Sequence, residues 1–231
     1  MEGIAENLSI VIPVFNEDVH IDNLLNELFQ LFAEGKVPEI IVVDDGSTDN
    51  TPDLVDKFDV RTVRHERRRG YGASLKSGVR QAKSKYICII DADNTYSVSD
   101  ILSLTAEVDV CDMVVGDRRD DVKRPKDHLL AKKSMEKILS RVFEVPVADL
   151  NSGLRIMKRC VLLKYLDLLP DGFSLTSSIT LIMLLKRYRI KYIPIKYERR
   201  DKGTKIRRLA FVAAFLYGYL RVLSRYFTGK L

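Results

Sequence analysis

A chain of 231 residues, 46% hydrophobic and 30% charged, holds enough apolar side chains for one sizeable core, which excludes an intrinsically disordered protein. Cys88, Cys111 and Cys160 stand singly, with no CxxC pair and no histidine at ligand spacing, so a disulfide framework and a cysteine-based metal site are excluded and all three are expected as reduced core residues. The net charge of +6 is unevenly spread: residues 186–231 carry fourteen Lys/Arg against two acids, a net +12, and residues 1–185 carry −6.

Residues 1–7 lack a basic stretch leading into an apolar run, so no secretory signal is read there and a cytosolic location is expected. Leu8 to Val14 is apolar and β-branched on both faces, as a buried parallel strand requires. Ile21, Leu24, Leu25, Leu28, Phe29 and Phe32 then recur at helical spacing, closed by Gly35. Strands are predicted at Glu39–Val43, Arg61–Arg64, Tyr86–Ile90 and Asp112–Gly116, with a helix from Ala73 to Lys83 between the second and third of these. The alternation of short apolar strands with helical patterns predicts an α/β protein whose central sheet is mostly parallel and flanked by helices. Beyond it come a helix near Asp127–Phe143, a short strand at Leu154–Met157, a helix from Phe173 to Tyr188, an edge strand at Ile190–Tyr197 carrying Pro194, and an apolar helix over roughly Ile206–Phe227.

The chemistry sits where strands end. Asp91-Ala92-Asp93 follows the hydrophobic strand 86–90, and the carboxyl ends of parallel strands are where open sheets bind ligands. Two carboxylates one residue apart there can reach a hard divalent cation directly or through water, and the cation in turn neutralises a diphosphate; the competing reading is a solvated turn or helix cap. Asp44-Asp45-Gly46-Ser47-Thr48-Asp49 follows a second buried strand, so both acidic turns are expected on one rim of the sheet. One of Ser47, Thr48 and Asp49 is expected to cap the helix starting near Pro52, leaving Asp44 and Asp45 for a nucleotide. Gly70-Tyr71-Gly72, preceded by Arg67, Arg68 and Arg69, is either a phosphate neighbour at a helix N-terminus or an ordinary loop; Leu75 replaces the third glycine of a dinucleotide fingerprint.

Taken together, Ser9-Ile-Val-Ile-Pro-Val-Phe-Asn-Glu17, Ile41-Val-Val-Asp-Asp-Gly-Ser-Thr-Asp49, Gly70-Tyr-Gly-Ala73 and Asp91-Ala-Asp93 resemble the family 2 glycosyltransferases of GT-A fold. Val115-Gly-Asp-Arg118, Asp149-Leu-Asn-Ser-Gly-Leu-Arg155 and Tyr197-Glu-Arg-Arg-Asp-Lys-Gly-Thr-Lys205 extend the likeness to the subgroup that includes dolichyl-phosphate mannose and polyprenyl-phosphate glucose synthases. The resemblance implies a catalytic domain over residues 1–205, with residues 206–231 as a C-terminal amphipathic helix. It implies a nucleoside pocket lined by Pro13, Phe15 and Glu17 with Asp44, Asp45 and Gly70, Mg2+ or Mn2+ held by Asp91 and Asp93, and donor or acceptor phosphates faced by Arg118, Arg200 and Lys205. The implied reaction is inverting transfer of one sugar from a nucleotide-sugar donor of the GDP-mannose or UDP-glucose type to a polyprenyl phosphate, with Arg118 and Arg200 assisting. If the acceptor is instead a glycan or protein hydroxyl, a base is needed, and Asp149 is the candidate. Two departures stand out: Thr95 occupies the place where mannosyl members often carry Gln, and Gly203 comes one position late in the basic loop Arg200–Lys205.

The final helix is interrupted by Arg221 and Arg225, short of the ~20 clean apolar residues of a membrane span. Leu209, Phe211, Phe215, Leu216, Leu220 and Phe227, with the basic residues 199–208 before them, predict a helix lying on an anionic membrane surface, on the cytosolic face, or docked on protein. The basic segment lacks interleaved aromatic platforms, so no nucleic-acid partner is expected, and the sequence leaves the oligomeric state open.

Overall fold

Along β1 (Leu8–Val14), Leu8, Ile10, Ile12 and Val14 enter one apolar cluster and Val11 enters another, so the strand is buried on both faces and must have a helical layer above and below it. The computed structural model describes residues 6–33, 37–118, 126–197 and 208–231. In chain order, β1 is followed by α1 (Ile21–Leu31), β2 (Glu39–Asp44), α2 (Thr51–Val55), β3 (Arg61–Arg64), α3 (Tyr71–Gln81), β4 (Tyr86–Ile89), α4 (Asp100–Thr105) and β5 (Met113–Asp117). Then come α5 (Lys126–Phe143), β6 (Arg155–Lys158), α6 (Arg159–Tyr165), α7 (Leu175–Leu185), β7 (Ile190–Pro194) and α8 (Arg208–Phe227).

The seven strands form one sheet in the order β3-β2-β1-β4-β6-β5-β7. All neighbouring pairs are parallel except those of β6, which runs antiparallel to both β4 and β5. The mostly parallel sheet and the edge position of β7 match the expectation from sequence. One face is covered by α1 and α4, through Leu24, Leu25, Leu28, Ile101 and Leu104; the other by α3, α6, α7 and α8, through Leu75, Val79, Leu162, Ile182 and Val222. On α3, Gly78 brings helix and sheet together so closely that a β-carbon there would collide with the Val11 and Val43 side chains.

Register sets the functional edge. Val14 pairs with Asp44 and Val11 with Ile89, so the chain leaves β1, β2 and β4 on the same side of the sheet, and the two acidic turns share one rim as predicted. The helix expected over 173–188 is shorter, Leu175–Leu185, which leaves Phe173 in the preceding turn, and the short helices α4 and α6 had no counterpart in the sequence reading. Cys88 and Cys111 are buried as expected. Cys160 is exposed, a correction that follows from its place in the first turn of the seven-residue α6, whose buried face is formed by Val161, Leu162 and Tyr165.

The C-terminal helix is docked by one face. Gly218 lies against α7, where an added β-carbon would stand 2.6 Å from Ser178 Oγ and 2.9 Å from Ser174 Oγ, and Tyr219 and Val222 are in the core. Leu216, Tyr217, Leu220 and Phe227 are exposed on the opposite side, Phe227 at 81%. No helix among the described residues is long and apolar enough to cross a membrane.

Filling the α3–sheet contact should be costly. Gly78→Val gains less than 1 kcal/mol of helix propensity but overpacks two core valines, so a net loss of about 1–3 kcal/mol is expected, read as a lower midpoint in urea denaturation.

Candidate active site

The strand ends of β1, β2 and β4 open into a cleft of about 310 Å3 lined by Pro13, Phe15, Glu17, Asp45, Arg68, Tyr71, Asp91, Asp93, Arg118, Asn151, Phe173, Thr176 and Tyr197, among others. Most of the residues singled out in the sequence are therefore gathered in one place, although they come from five separate segments of the chain.

Asp91 and Asp93 lie in the turn that follows β4. The Asp91 Oδ1 accepts a hydrogen bond from the Tyr71 hydroxyl at 2.9 Å, and the Asp93 Oδ1 accepts one from Thr95 Oγ1 at 2.6 Å. Thr95 is buried, is bonded to the Asp93 carboxylate and is absent from the cleft lining. Burial, reinforced by the negative charge of Asp93, pushes the Asp91 carboxyl up to about 6, against the opposing pull of the Tyr71 hydrogen bond and of Arg118 and Arg155. Two crowded carboxylates held at the cleft wall are a hard-oxygen donor pair whose mutual repulsion a cation would relieve, so these residues fit Mg2+ or Mn2+. No cluster of three or more His, Cys, Asp or Glu suited to a metal occurs among the described residues. Gly153 is required here, because a β-carbon at that position would collide with the Asp91 carboxylate.

Arg118, which also lines the cleft, follows β5. Its Nε and Nη2 donate to the two oxygens of Asp149 at 2.6 and 3.0 Å, and its guanidinium lies 4.9 Å from the Tyr197 ring centroid. Asp149 is 1% exposed and also accepts the Asn151 N–H at 3.2 Å. Placed behind Arg118 with both oxygens engaged, Asp149 is not a cleft-lining residue, whereas Arg118 is. The same loop is held from beneath by Arg155, fully buried, which donates to the carbonyls of Ser152, Leu150 and Thr176.

On the nucleotide side, Pro13, Phe15, Glu17 and Asp45 reach the cleft, and Arg68 stacks over the Phe15 ring at 4.2 Å. Asp44 and Asp45, expected to stand free for a nucleotide, are both engaged by the chain itself, and Asp45 keeps its place in the cleft lining. Asp44 is buried and its Oδ1 accepts the Ser47 N–H at 2.9 Å, closing the acidic turn. Asp45 accepts the N–H groups of Arg69 and Gly70, each at 2.8 Å, and faces His65 Nδ1 at 2.8 Å. The N-terminus of α3 is satisfied in the same way: Gly70 N–H is taken by Asp45, Ala73 N–H by the Asp171 carbonyl, and Gly70 is absent from the cleft lining. A carboxylate and a carbonyl of the chain thus occupy the place considered for a phosphate. Asp49, one of the three candidate caps, accepts the Thr51 N–H at 3.0 Å at the start of α2. Arg200 and Lys205 lie outside the described residues.

Sequence reading passed over Tyr71, Phe173, Asn151 and Thr176 as cleft residues. Tyr71 stood inside a motif read for its glycines, and Phe173 was assigned to a helix; Asn151 was within reach, since it lies between Asp149 and Gly153 in a segment already singled out.

The sheet order with its single antiparallel strand, the carboxylate pair at the end of β4 and the cleft at the rim define a GT-A type nucleotide-sugar transferase fold. The chain belongs to glycosyl transferase family 2, whose model matches residues 9–166. It is 27% identical over 233 residues to a dolichyl-phosphate beta-glucosyltransferase of Saccharomyces cerevisiae, covering 86% of this chain and 69% of that protein. It is 25% identical over 217 residues to a dolichyl-phosphate hexose transferase of Haloferax volcanii, covering 90% of each. In fold it is similar to glucosyl-3-phosphoglycerate synthase from Mycobacterium tuberculosis, crystallised with Mn2+ and UDP-glucose, at a TM-score of 0.74 and 21% identity over 97% of this chain and 83% of that one.

The raised Asp91 carboxyl has a definite sign. A folded-state value of about 6 against an ordinary 3.8 means that the metal-free fold holds its proton more tightly, so this group's contribution to stability is present at low pH and is lost as pH rises through that window. A divalent cation takes only the carboxylate form. Melting curves in chelator and in Mn2+ should therefore diverge as pH increases from 4 to 7, with the Mn2+ stabilisation smallest at the acid end.

Proposed function

We propose that the protein transfers a single hexose, with inversion, from a nucleotide-sugar donor of the UDP-glucose or GDP-mannose type to a polyprenyl phosphate of the dolichyl or undecaprenyl class, at the cytosolic face of a membrane. The observation that carries this reading is the gathering, in the lining of one cleft, of the Asp91 and Asp93 carboxylates and the Asp149-braced guanidinium of Arg118. The dolichyl-phosphate transferases among the relatives support the lipid-phosphate acceptor.

In this reading Phe15 and Pro13 wall the nucleoside pocket and Arg68, stacked on Phe15, covers it. Asp91 and Asp93 hold Mg2+ or Mn2+ against the donor diphosphate; when bound, the ion supplies the positive charge that steadies the leaving nucleoside diphosphate. Arg118 offers a planar cation to phosphate oxygens from the cleft lining, and its pairing with Asp149 fixes the fork so that no reorganisation is needed as charge develops. Arg200 and Lys205, from the basic loop, are assigned to the same phosphates on the strength of their sequence motif. A phosphate monoester acceptor, with a second pKa of about 6, is already an anionic nucleophile at neutral pH and needs no general base. Direct displacement by that oxygen breaks the anomeric C–O bond to the diphosphate and inverts the centre.

Asp149 bears on the choice of acceptor. A hydroxyl acceptor needs a base at the cleft surface, and the buried, doubly engaged Asp149 favours the phosphate acceptor instead. The exposed apolar stripe of α8, with Arg225 and Lys230 beside it, supports contact with an anionic bilayer.

With Mn2+ and a short polyprenyl phosphate, transfer from UDP-glucose or GDP-mannose with release of free nucleoside diphosphate is expected, abolished by excess chelator and by Asp91→Asn with Asp93→Asn. NMR should give the inverted anomer. Asp149→Asn should weaken transfer about 10- to 100-fold through the loss of Arg118's brace. Loss of all turnover with a normal fold would instead point to a hydroxyl acceptor and a base. For the membrane, Leu216→Glu with Leu220→Glu alters only exposed positions and should abolish flotation with anionic liposomes while leaving the melting temperature unchanged. Unaltered flotation would assign α8 to a protein contact.

A further inference from the structure

A metal-binding carboxylate is useful only if its oxygens point the right way before the ion arrives, and two features of the cleft wall govern Asp91. On one side, Oδ1 accepts the Tyr71 hydroxyl at 2.9 Å. On the other, Oδ2 lies so close to Gly153 that no side chain fits there. The carboxylate is confined between a hydroxyl and a bare backbone.

Tyr71 is itself confined. Its ring stacks on Phe173 with centroids 5.5 Å apart and planes 11° from parallel. Phe173 belongs to the turn before α7, and that turn is locked to the start of α3, where Tyr71 begins the helix. The Asp171 carbonyl accepts the Ala73 N–H at 3.0 Å, Lys76 Nζ reaches Asp171 Oδ1 at 2.7 Å, and an added β-carbon on Gly70 would stand 2.8 Å from the Asp171 oxygen. The stack therefore rests on backbone-to-backbone packing and not on loose side chains. Asp93 has the simpler counterpart of this arrangement in Thr95, which donates to it at 2.6 Å.

From this we infer that Tyr71 is a positioning residue for the metal site: its hydroxyl fixes the orientation of Asp91, and the Phe173 stack fixes the hydroxyl. The inference rests on the reading of Asp91 and Asp93 as metal ligands and adds to it the groups that hold Asp91 in place. Partners that orient ligating carboxylates typically cost about 10- to 100-fold in metal affinity or activity when removed.

The test is Mn2+ binding to the purified full-length chain, followed by the electron paramagnetic resonance of the free ion, with and without UDP. Tyr71→Phe removes one oxygen and keeps the ring, so its circular dichroism should be that of the unaltered protein while its Mn2+ dissociation constant rises about tenfold. In turnover the same variant should need more Mn2+, with the KM for UDP-glucose restored at saturating metal. Phe173→Leu keeps the hydroxyl and removes the stack, and a smaller rise is expected. A folded Tyr71→Phe protein with unchanged Mn2+ affinity overturns the assignment, as does a Phe173→Leu loss that matches or exceeds it, since the ring and not the hydroxyl would then be responsible. Should the unaltered protein bind no Mn2+ in either condition, the metal reading of the cleft falls, and the role of Tyr71 falls with it.

Discussion

Negative charge gathered at the end of β4 is the constraint to which the rest of the site answers. Asp91 is partly buried in the cleft wall and is repelled by a second carboxylate two positions along, an arrangement that shifts the group toward its neutral form. The fold offsets it with two guanidinium groups whose fields reach Asp91, Arg118 and Arg155. Neither forms a direct ion pair with Asp91. Arg118 is bound to Asp149, and Arg155 spends its donors on the carbonyls of the loop from Leu150 to Ser152. The charge is thus moderated from a distance, and the oxygens remain available to a ligand in the cleft.

That indirect arrangement gives the segment from Asp149 to Arg155 several tasks at once. Asp149 orients Arg118, Asn151 lines the cleft, Gly153 gives way to Asp91, and Arg155 ties the loop to α7 through the Thr176 carbonyl. Gly153 N–H donates to the Tyr96 hydroxyl at 2.6 Å, and Tyr96 meets Tyr197 edge to face beneath Arg118. The loop also lies where β6 enters the sheet against the direction of its neighbours, and that reversal carries the chain from the end of the loop back across the sheet between β4 and β5. The antiparallel strand between β4 and β5 is what brings the Asp149 brace of Arg118 and the Asp91 turn to the same rim.

Much of this was legible in the sequence, for identifiable reasons. Asp91 and Asp93 could be placed because the strand before them is apolar on both faces and ends abruptly, and parallel register then puts every such end on one rim. Leu24, Leu25 and Leu28 were legible as a helix face for a similar reason: local periodicity reports burial. The hydrogen bonds of Asp45 were not legible because its partners, His65, Arg69 and Gly70, lie 20 to 25 positions away and are brought to it only by the crossing of β3 into α3. Phe173 was hidden by the helical pattern that follows it, which reads as beginning two residues too early. Cys160 illustrates the limit from the other side: residue type predicts burial, but in a helix of two turns the buried face is chosen by Val161, Leu162 and Tyr165.

The same distinction governs α8. An amphipathic pattern shows that a helix has two faces, and only packing shows which one the domain claims. Here the claim is made by Gly218, Tyr219 and Val222, the positions where backbone approach and ring burial meet Ser174, Ser178 and the core, while the leucines and Phe227 on the far side stay in solvent. Docking on the domain and lying on a bilayer are therefore not competing states of this helix. They use opposite faces, so contact with a membrane would need no disruption of the core. Because Gly218 meets α7 at Ser174, next to Phe173, the helix that presents the apolar stripe also abuts, by its buried face, a turn that contributes to the cleft lining.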